Sequence, residues 1–577
     1  MIVSINRMMK YIVSLSVKKV IAFFISLILL VSFPIFSLSP PGFHQEWRIP
    51  EHELFFVDNH LLFSYQKNEK EFKWIELALG EDWHYKELLN EKVEWYPLAV
   101  DFDYSLALYH EKYHDLYLNL CFRWIGQQDI FVFLSFSHNS QDIVPIEYGI
   151  SWLSSNHRSW NQWQTFVFAY PHDNYSLPDL QYEVKELEKP VFRGEMMYFR
   201  SKNEGRTIQT WLKSSVFQYK PLEYGMNERI DIPSSFWVET ENDVPVTYTR
   251  SLVYPGAMMD DWILYSDAGL INIASARTRR VLQTTDLSKT KRFFRDGFLY
   301  RTQGTGFKGE KNNTYYWDYS NFASRSILEY YFSPYERFFY NFVVNNYIAL
   351  KNHRNDHGYW NTGTISPWLR SLYDIKDDFF DSRFNVDAGL FLLFFYQRYN
   401  YCEALNMAAQ IGDLLLHYMQ RGLGFRAEND GFLLQDYVCE QQPKMLTHAS
   451  LNHLLNIASF LLMLGDLTEI QYYQNAAVRV FKGLQATEPY WEDQATGDLH
   501  YARFTDGNYE GKDYLMLTYH DILRAQNFSI KYLKERNPVL QRLGIIKENF
   551  LYEHGHIKTR RIQERETHVY HQWEKAG

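Results

Sequence analysis

The chain has 577 residues, which is too long for one hydrophobic core and predicts two or three domains. Hydrophobic residues make up 46% and charged residues 22%, a balance that excludes a largely disordered chain. The net charge of −10 at pH 7 is spread without a basic block, which argues against a nucleic-acid partner.

The composition is unusually aromatic, with 44 Tyr, 42 Phe and 16 Trp. Two explanations stay open, because β-sheets favour these residues and flat aromatic faces also line sugar-binding clefts. The cysteines Cys121, Cys402 and Cys439 are too sparse for a disulfide framework or a metal-ligand pattern. There is no Gly-rich phosphate loop and no dinucleotide fingerprint, so we expect no cofactor and no metal.

The N-terminus predicts a membrane segment. Residues 1–19 carry four basic side chains, and residues 20–38 form an apolar run without charge. About 19 residues at a rise of roughly 1.5 Å nearly span a hydrocarbon core. Because the positive flank stays inside, we expect an uncleaved single-pass signal-anchor with the body of the protein outside the cytoplasm. A cleaved signal peptide is the alternative, but prolines follow the run where a small-residue cleavage site would lie.

Residues 39–332 read as a β-rich domain. Short runs of aromatic and β-branched residues, such as 54–57, 116–120 and 130–134, are separated by turn residues. No long helical period interrupts them, which favours a β-sandwich or a pair of small β-domains.

Residues 333–552 change to amphipathic helical patterns, and residues 553–577 read as a polar tail. Apolar residues recur three and four positions apart, as a buried helix face requires. The pattern predicts helices at 336–351, 385–399, 401–420, 447–464, 467–485 and 513–534. Pairs of helices recur about every 60 to 65 residues, which suits stacked αα-hairpins. The predicted fold is therefore an α+β multidomain chain whose second domain is an (α/α) hairpin toroid.

Three clusters of aromatic and ionisable residues lie at or just before the predicted inner helices: residues 357–387, 435–453 and 491–521. In a hairpin toroid these segments converge on one mouth, where a polyhydroxylated and even anionic substrate can bind. Asp381 and Asp513 have the alternative role of capping helices. His448 and His453 are five residues apart, so they lack the spacing of a helical zinc pair. The candidate substrate-binding residues are Trp360, Arg383, Asp387, His448, Asn452, Trp491 and Arg503.

Two motifs within residues 435–526 resemble the helical C-terminal domain of the glucuronyl 5-epimerases, which act on heparan-like polysaccharides. Asp-Tyr-Val-Cys-Glu at 436–440 precedes His-Ala-Ser-Leu-Asn-His-Leu-Leu at 448–455. Asp-Gln-Ala-Thr-Gly-Asp-Leu-His-Tyr-Ala-Arg at 493–503 leads to Lys-Asp-Tyr-Leu-Met-Leu-Thr at 512–518. Relative to the family, the arginine follows the tyrosine by two positions instead of three, and Lys512 replaces a tryptophan. The order of a β-rich part followed by a helical part is also similar.

This resemblance implies epimerisation at the α-carbon of a uronate within a polysaccharide. It makes Tyr437, Tyr501 and Tyr514 the candidate acid and base, and gives Arg503 the task of holding the carboxylate. The chemistry is reasonable because the proton next to a carboxylate is weakly acidic, so a positioned base and a cation on the developing enolate are both required.

Two other functions stay open. A glycoside hydrolase or polysaccharide lyase could use the same architecture, and hydrolysis would pair Asp381 or Asp387 with Asp436 or Asp493. A non-catalytic surface protein that binds cell-wall polysaccharide is the other alternative, and it requires an aromatic groove without a convergent set of tyrosine, arginine and acid.

Overall fold

The computed structural model describes residues 52–558, except for short gaps and the longer stretches 155–161, 169–183, 186–190, 276–292, 302–313 and 319–336. The predicted membrane segment and most of the predicted polar tail therefore lie outside the described residues. The chain divides into two compact units, and residues 333–344 group with the first. Residues 1–222 and 227–299 also belong to the first unit, and residues 223–226, 300–332 and 345–577 belong to the second.

The residues before the first described helix form antiparallel strands. In chain order these are β1 (His52–Val57), β2 (His60–Asn68), β3 (Glu71–Leu79), β4 (His84–Tyr96), β5 (Ala99–His110), β6 (His114–Ile125), β7 (Asp129–His138), β8 (Val144–Ser154), β9 (Gln162–Phe168), β10 (Val184–Lys185), β11 (Val191–Phe192), β12 (Met196–Asn203), β13 (Arg206–Lys213), β14 (Phe217–Pro221), β15 (Met226–Ile230), β16 (Ser235–Glu241), β17 (Val244–Val253), β18 (Met258–Ser266), β19 (Phe293–Phe294), β20 (Gly297–Arg301) and β21 (Thr314–Asp318).

Two sheets of the first unit pack face to face. One sheet has the order β1-β2-β3-β8-β17-β16-β11, and the other contains the meander β4-β5-β6-β7 joined to β18. Along β6 every second side chain from Leu116 to Trp124 is buried in the shared core, because side chains alternate between the two faces of a strand. Phe63 of the first sheet stacks on Phe122 of the second, with 4.0 Å between ring centroids. The β-rich prediction is confirmed as a sandwich.

Aromatic side chains fill much of this core. Trp152 and Trp211 belong to it and are almost completely buried. Large rings remove much apolar surface from water, so they are effective fillers between two twisted sheets. Burial in the sandwich therefore accounts for part of the aromatic excess.

Helices dominate the second unit. The described helices of the chain are α1 (Arg337–His353, of which the residues up to 344 group with the first unit), α2 (Pro367–Tyr373), α3 (Ser382–Tyr399), α4 (Cys402–Gln420), α5 (Leu451–Thr468), α6 (Gln471–Thr487), α7 (Leu515–Phe528, continued by a π-helical turn to Leu533) and α8 (Pro538–Glu553). Short strands lie between them: β22 (Asn361–Thr362), β23 (Phe379–Asp381), β24 (Gly424–Arg426), β25 (Phe432–Leu434), β26 (Tyr437–Val438), β27 (Ala449–Ser450), β28 (Glu492–Asp493), β29 (Asp498–Arg503) and β30 (Tyr509–Lys512).

The helices form successive αα-hairpins, α3 with α4 and α5 with α6 as predicted, and α7 with α8. The first helices of the pairs also pack together, with α5 between α3 and α7. Helix α5 is the one described helix that is long and apolar enough to cross a membrane, and 83% of its apolar window is buried inside the protein. It is therefore a core helix. Helices α2 and α8 were not among the predicted helices.

Close packing between α3 and α5 depends on a missing side chain. A Cβ atom added to Gly389 of α3 would lie 2.5 Å from the ring of Phe460 on α5. Both helices are almost wholly buried along this contact, so neither backbone has room to retreat.

We predict that Gly389→Ala lowers the free energy of unfolding by about 1–3 kcal/mol, since overpacking outweighs the gain of about 1 kcal/mol in helix propensity. Urea unfolding followed by helical circular dichroism measures the change. Gly269→Ala is the control, because nothing lies within 4 Å of its added Cβ. A Gly389→Ala protein as stable as the wild type would contradict the packing argument.

Candidate functional site

Short strands and one short helix bring together residues that are far apart in the sequence. Asp381 of β23 pairs with Tyr437 of β26, and Ser450 of β27 pairs with Ala502 of β29. Helix α2 is held at the same place, because Leu369 belongs to one buried apolar cluster with Tyr437 and other residues. All of these segments precede or follow helices α3, α5 and α7, as the sequence predicts. These are the first helices of the three hairpins, and we call them the inner helices.

Asp436 is the centre of the cluster and is completely buried. Its carboxylate accepts hydrogen bonds from the backbone N–H of Ser450 at 2.9 Å and from the Ser450 hydroxyl at 2.5 Å. His448 Nε2 lies 3.2 Å from one carboxylate oxygen, and His453 Nδ1 lies 3.6 Å from the other. Burial alone would raise the pKa of Asp436, but His453, His448 and Ser450 together hold it below its usual value. Asp436 is therefore a carboxylate at neutral pH.

His448 has hydrogen-bond partners at both ring nitrogens. Nδ1 lies 3.0 Å from the hydroxyl of Tyr373, and Nε2 lies 3.4 Å from the hydroxyl of Tyr501. Because Asp436 accepts a hydrogen bond from Nε2–H, we assign Nδ1 as the acceptor of the hydrogen bond from the Tyr373 hydroxyl. The imidazole also faces Trp368 and Phe504, with ring centroids 4.9 and 5.3 Å apart. The ring is thus oriented by a carboxylate and two phenols.

The structure brings the three predicted catalytic tyrosines close together. The rings of Tyr501 and Tyr514 meet edge to face with centroids 5.8 Å apart, and the buried Tyr437 interacts electrostatically with both. Burial and the charge of Asp436 raise the pKa of Tyr501 well above its usual value, and burial followed by the proximity of Tyr501 does the same for Tyr437. These two phenols are therefore protonated at neutral pH and available as proton donors.

Two aromatic side chains next to this cluster are exposed to solvent. Tyr514 is 50% exposed and Trp368 is 37% exposed. Trp368 lies beside Tyr501, with 6.4 Å between ring centroids. The Tyr501 residue is partly exposed as a whole, and its phenol lies between the buried His448 and Asp436 and an exposed aromatic edge. We define Trp368, Tyr501 and Tyr514 as the aromatic edge of the site.

A second buried acid lies behind the cluster. Asp381 caps helix α3, since its carboxylate accepts from the backbone N–H groups of Arg383 and Phe384. Burial, with a contribution from Asp436, raises the pKa of Asp381 to about 7. The capping role expected for Asp381 is present. Asp513 does not cap α7; it accepts from Thr518 and pairs with Lys547 instead.

Two predicted substrate contacts, Trp360 and Trp491, are packing residues. Trp360 is 6% exposed and its indole N–H donates to the carbonyl of Leu350. Trp491 is completely buried and its indole N–H donates to Thr487. Neither indole leaves a ring face for a substrate, which corrects the prediction from sequence.

Arg383, Asp387 and Asn452 also differ from the prediction. The guanidinium of Arg383 pairs with Asp521 of α7 and with Asp387, whose other oxygen accepts from Asn456. Asn452 is 2% exposed. The Arg383 and Asp387 side chains hold helices α3, α5 and α7 together, because buried charges require partners. They are not available to a substrate in this conformation.

The Arg503 guanidinium contacts aromatic side chains other than the predicted catalytic phenols. It stacks on Phe425, with 3.9 Å to the ring centroid, and also interacts with Tyr509. The task of holding a substrate carboxylate therefore stays a prediction for this residue.

Tyr373 and Trp368 are site residues that the candidate set omitted, and Asp436 was named only as a possible carboxylate of a hydrolase. Tyr373 and Asp436 fall within the polar-aromatic clusters of the sequence, so composition alone marked their segments. Nothing in the sequence singles out Trp368, since the seven-residue helix α2 is too short for a periodic signal.

Asp101, Asp103 and Cys121 form the one group among the described residues with the spacing of a metal site, with ligand atoms within 4.8 Å of one another. Arg123 donates to both oxygens of Asp101 at 2.7 and 2.6 Å, and Arg295 pairs with Asp103 at 2.6 Å. Two guanidinium groups already balance these carboxylates, which disfavours a cation there.

No protein-family model matches this chain, and no curated protein matches it in sequence. Solved structures are similar to parts of it. The family 76 glycoside hydrolase (mannosidase) Bt3792 from Bacteroides thetaiotaomicron VPI-5482 has 14% identity and a TM-score of 0.30 over 40% of this chain and 58% of that chain. A D-mannose isomerase has 17% identity and a TM-score of 0.30 over the same shares.

A family 76 glycoside hydrolase from a bovine Bacteroides thetaiotaomicron strain has 12% identity and a TM-score of 0.35, covering 74% of this chain and 75% of that chain. The present chain spans 58% of the length of the first two structures. Because all three TM-scores are low, the fold described above rests on the contacts of this chain alone.

The buried His453 predicts a pH-dependent stability. Burial lowers the pKa of His453 to about 4, so the folded protein keeps it neutral while the unfolded chain binds a proton below about pH 6.5. Between these two pH values the unfolded state binds more protons, so stability falls as the pH falls.

We predict that wild-type stability loses about 2 kcal/mol through this residue between about pH 7 and pH 5, and that His453→Gln abolishes this part of the loss. The glutamine amide can still reach Ser382, which lies 2.9 Å from His453 Nδ1. Urea unfolding of both proteins at the two pH values gives the comparison. Equal losses in the two proteins would show that His453 is not neutral in the folded state.

Proposed function

We propose that this chain is a carbohydrate-active enzyme that inverts the α-carbon of a uronate in an extracellular polysaccharide, as the uronyl 5-epimerases do. The observation that carries the proposal is the aromatic edge, where the phenol of Tyr501 lies between exposed Trp368 and Tyr514 and the buried His448–Asp436 pair. Exposed aromatic rings suit the flat faces of sugar rings, and phenols beside a buried imidazole suit proton transfer.

Epimerisation needs two proton-transfer groups, because the proton leaves one face of the carbon and returns to the other. Tyr501 and Tyr514 supply phenols at the exposed edge, and the buried Tyr437 contributes to the electrostatics of the cluster. No redox cofactor takes part in such a reaction, since the carbanion is stabilised by its own carboxylate. The residues that would hold this carboxylate are not assigned.

The hydrolase alternative has less support. It needs two carboxylates with access to the glycosidic bond. Asp381 and Asp436 are buried and already accept hydrogen bonds, and Asp387 is paired with Arg383 and Asn456. Asp493 accepts from Ala495 and Thr496 within a surface turn. A lyase would use the same phenols and differ in expelling the leaving group.

The proposal includes an extracytoplasmic location. Residues 20–38 lie outside the described residues, and their apolar composition supports a membrane anchor that exposes the remainder of the chain to cell-surface polysaccharide.

We predict that the full-length protein in mild detergent, given uronate polysaccharides in deuterated water, inverts the uronate and places deuterium at its α-carbon. Tyr501→Phe lowers this conversion by about 100-fold or more, because a transferred proton is lost. Nuclear magnetic resonance follows deuterium and configuration. Tyr472→Phe, on the exposed face of α6, is the control that keeps wild-type conversion.

The other functions give different products in the same samples. Unsaturated ends, read by ultraviolet absorbance, indicate a lyase, and new reducing ends without deuterium indicate a hydrolase. Binding without any chemical change indicates the non-catalytic surface protein.

A further inference from the structure

His448 lies between two phenols that approach its two different nitrogens. The Tyr373 hydroxyl is 3.0 Å from Nδ1 and the Tyr501 hydroxyl is 3.4 Å from Nε2. Asp436 lies 3.2 Å from Nε2 on the buried side. An imidazole can accept a proton at one nitrogen and release one from the other, so this arrangement connects the two phenols chemically.

The Tyr373 oxygen is equipped to exchange protons. It accepts a hydrogen bond from the backbone N–H of His448 at 3.1 Å, and its own O–H points to Nδ1 of the same residue. Burial and the charges of Asp436 and Asp506, opposed by that backbone hydrogen bond, raise the pKa of Tyr373 to about 12. A phenol with this pKa removes a proton efficiently only when its own proton moves to a neighbouring base at the same time.

Tyr373 is also held in place. Helix α2 ends at Tyr373, and Leu369 of the same helix is buried in a cluster with Ile375, Phe379 and Tyr437. The Tyr373 ring is partly exposed and packs against this cluster. The phenol is thus fixed against His448 and still open on one side.

We propose that Tyr373 is a catalytic residue and that His448, oriented by Asp436, relays protons between Tyr373 and Tyr501, so that the two phenols act on opposite faces of the substrate carbon. This inference rests on the proposed function and names the groups that perform its two proton transfers.

In the first step the α C–H bond breaks and its proton forms an O–H bond with Tyr373. The phenolic proton of Tyr373 moves at the same time to Nδ1 of His448, which becomes an imidazolium paired with Asp436. The electron pair of the C–H bond remains on the α-carbon and is delocalised into the carboxylate of the uronate.

In the second step Tyr501 donates its proton to the opposite face of the carbon. The resulting phenolate takes a proton from Nε2 of the imidazolium, which is its neighbour at 3.4 Å. His448 is then neutral with its proton on Nδ1, the tautomer in which Tyr501 is the base and Tyr373 the donor. Protons and electrons balance without another reactant, and the same site runs in both directions.

The test measures deuterium exchange at the α-carbon separately on glucuronate-containing and iduronate-containing polysaccharides, with the full-length protein. Tyr373→Phe is expected to lose exchange on one configuration by about 100-fold or more and to keep it on the other. Tyr501→Phe is expected to show the reciprocal pattern. Tyr473→Phe is the control. It removes a hydroxyl of α6 that donates a hydrogen bond to Asp413 of α4, and it is expected to keep exchange on both configurations.

The relay itself is tested with His448→Gly, which loses exchange on both configurations and leaves a cavity of the size of the ring. Added imidazole is expected to restore exchange on both. Pyrrole has the same shape but lacks a second nitrogen that accepts a proton, so it is expected to restore neither. Rescue by imidazole alone separates proton relay from a purely structural role of the ring.

The outcomes separate the two proposals. Wild-type exchange that persists in Tyr373→Phe on both configurations, or rescue by pyrrole as well as imidazole, overturns the relay and leaves the proposed function intact. A wild-type protein that exchanges neither configuration overturns the proposed function, and the catalytic role of Tyr373 with it.

Discussion

The buried carboxylate of Asp436 is the constraint around which the candidate site is arranged. A carboxylate without exposure to water is stable only when hydrogen bonds or positive charge compensate the lost hydration. Asp436 meets this requirement with Ser450, His448 and His453, which come from β27, the segment before it and helix α5. The requirement therefore fixes the start of α5 against β26, and it fixes the plane of the His448 ring.

The same requirement explains why several polar residues of the inner helices are structural. Arg383 of α3 and Arg524 of α7 both pair with Asp521, and Asp387 pairs with Arg383. Removing one member would leave an uncompensated charge in the core, so each member is required for the packing of the others. A sequence pattern cannot separate such a network from a binding cleft, because both place charges on the inner faces of helices.

Much of the architecture could be predicted from the sequence, for identifiable reasons. The period of three and four residues in α4, and the alternation along β6, follow directly from helix and strand geometry. The choice of Tyr437, Tyr501 and Tyr514 came from the resemblance of two motifs to the glucuronyl 5-epimerases, and not from the spacing of residues. Helix α2 was missed because seven residues carry no period, and with it the contact of Tyr373 with His448 across 75 positions.

The burial of Trp360, Trp491 and Arg383 could not be predicted either, since it depends on tertiary neighbours and not on local spacing. Residue type is a poor guide at such positions, because indole and guanidinium groups serve equally well in a core and at a sugar-binding surface. Exposure is what distinguishes Trp368, at 37%, from Trp491, at 0%.

The protonation state of the phenols limits the possible chemistry. Burial and the charge of Asp436 favour the neutral form of Tyr501, so this phenol begins each cycle protonated. His448 contacts both phenols, with the Tyr373 hydroxyl 3.0 Å from Nδ1 and the Tyr501 hydroxyl 3.4 Å from Nε2. Asp436 thus disfavours a phenolate at Tyr501, and a phenol that acts as the base in this site requires a neighbour such as His448 to take its own proton. A single tyrosine acting alone would have to become a phenolate beside a carboxylate, which is the arrangement that electrostatics disfavours most.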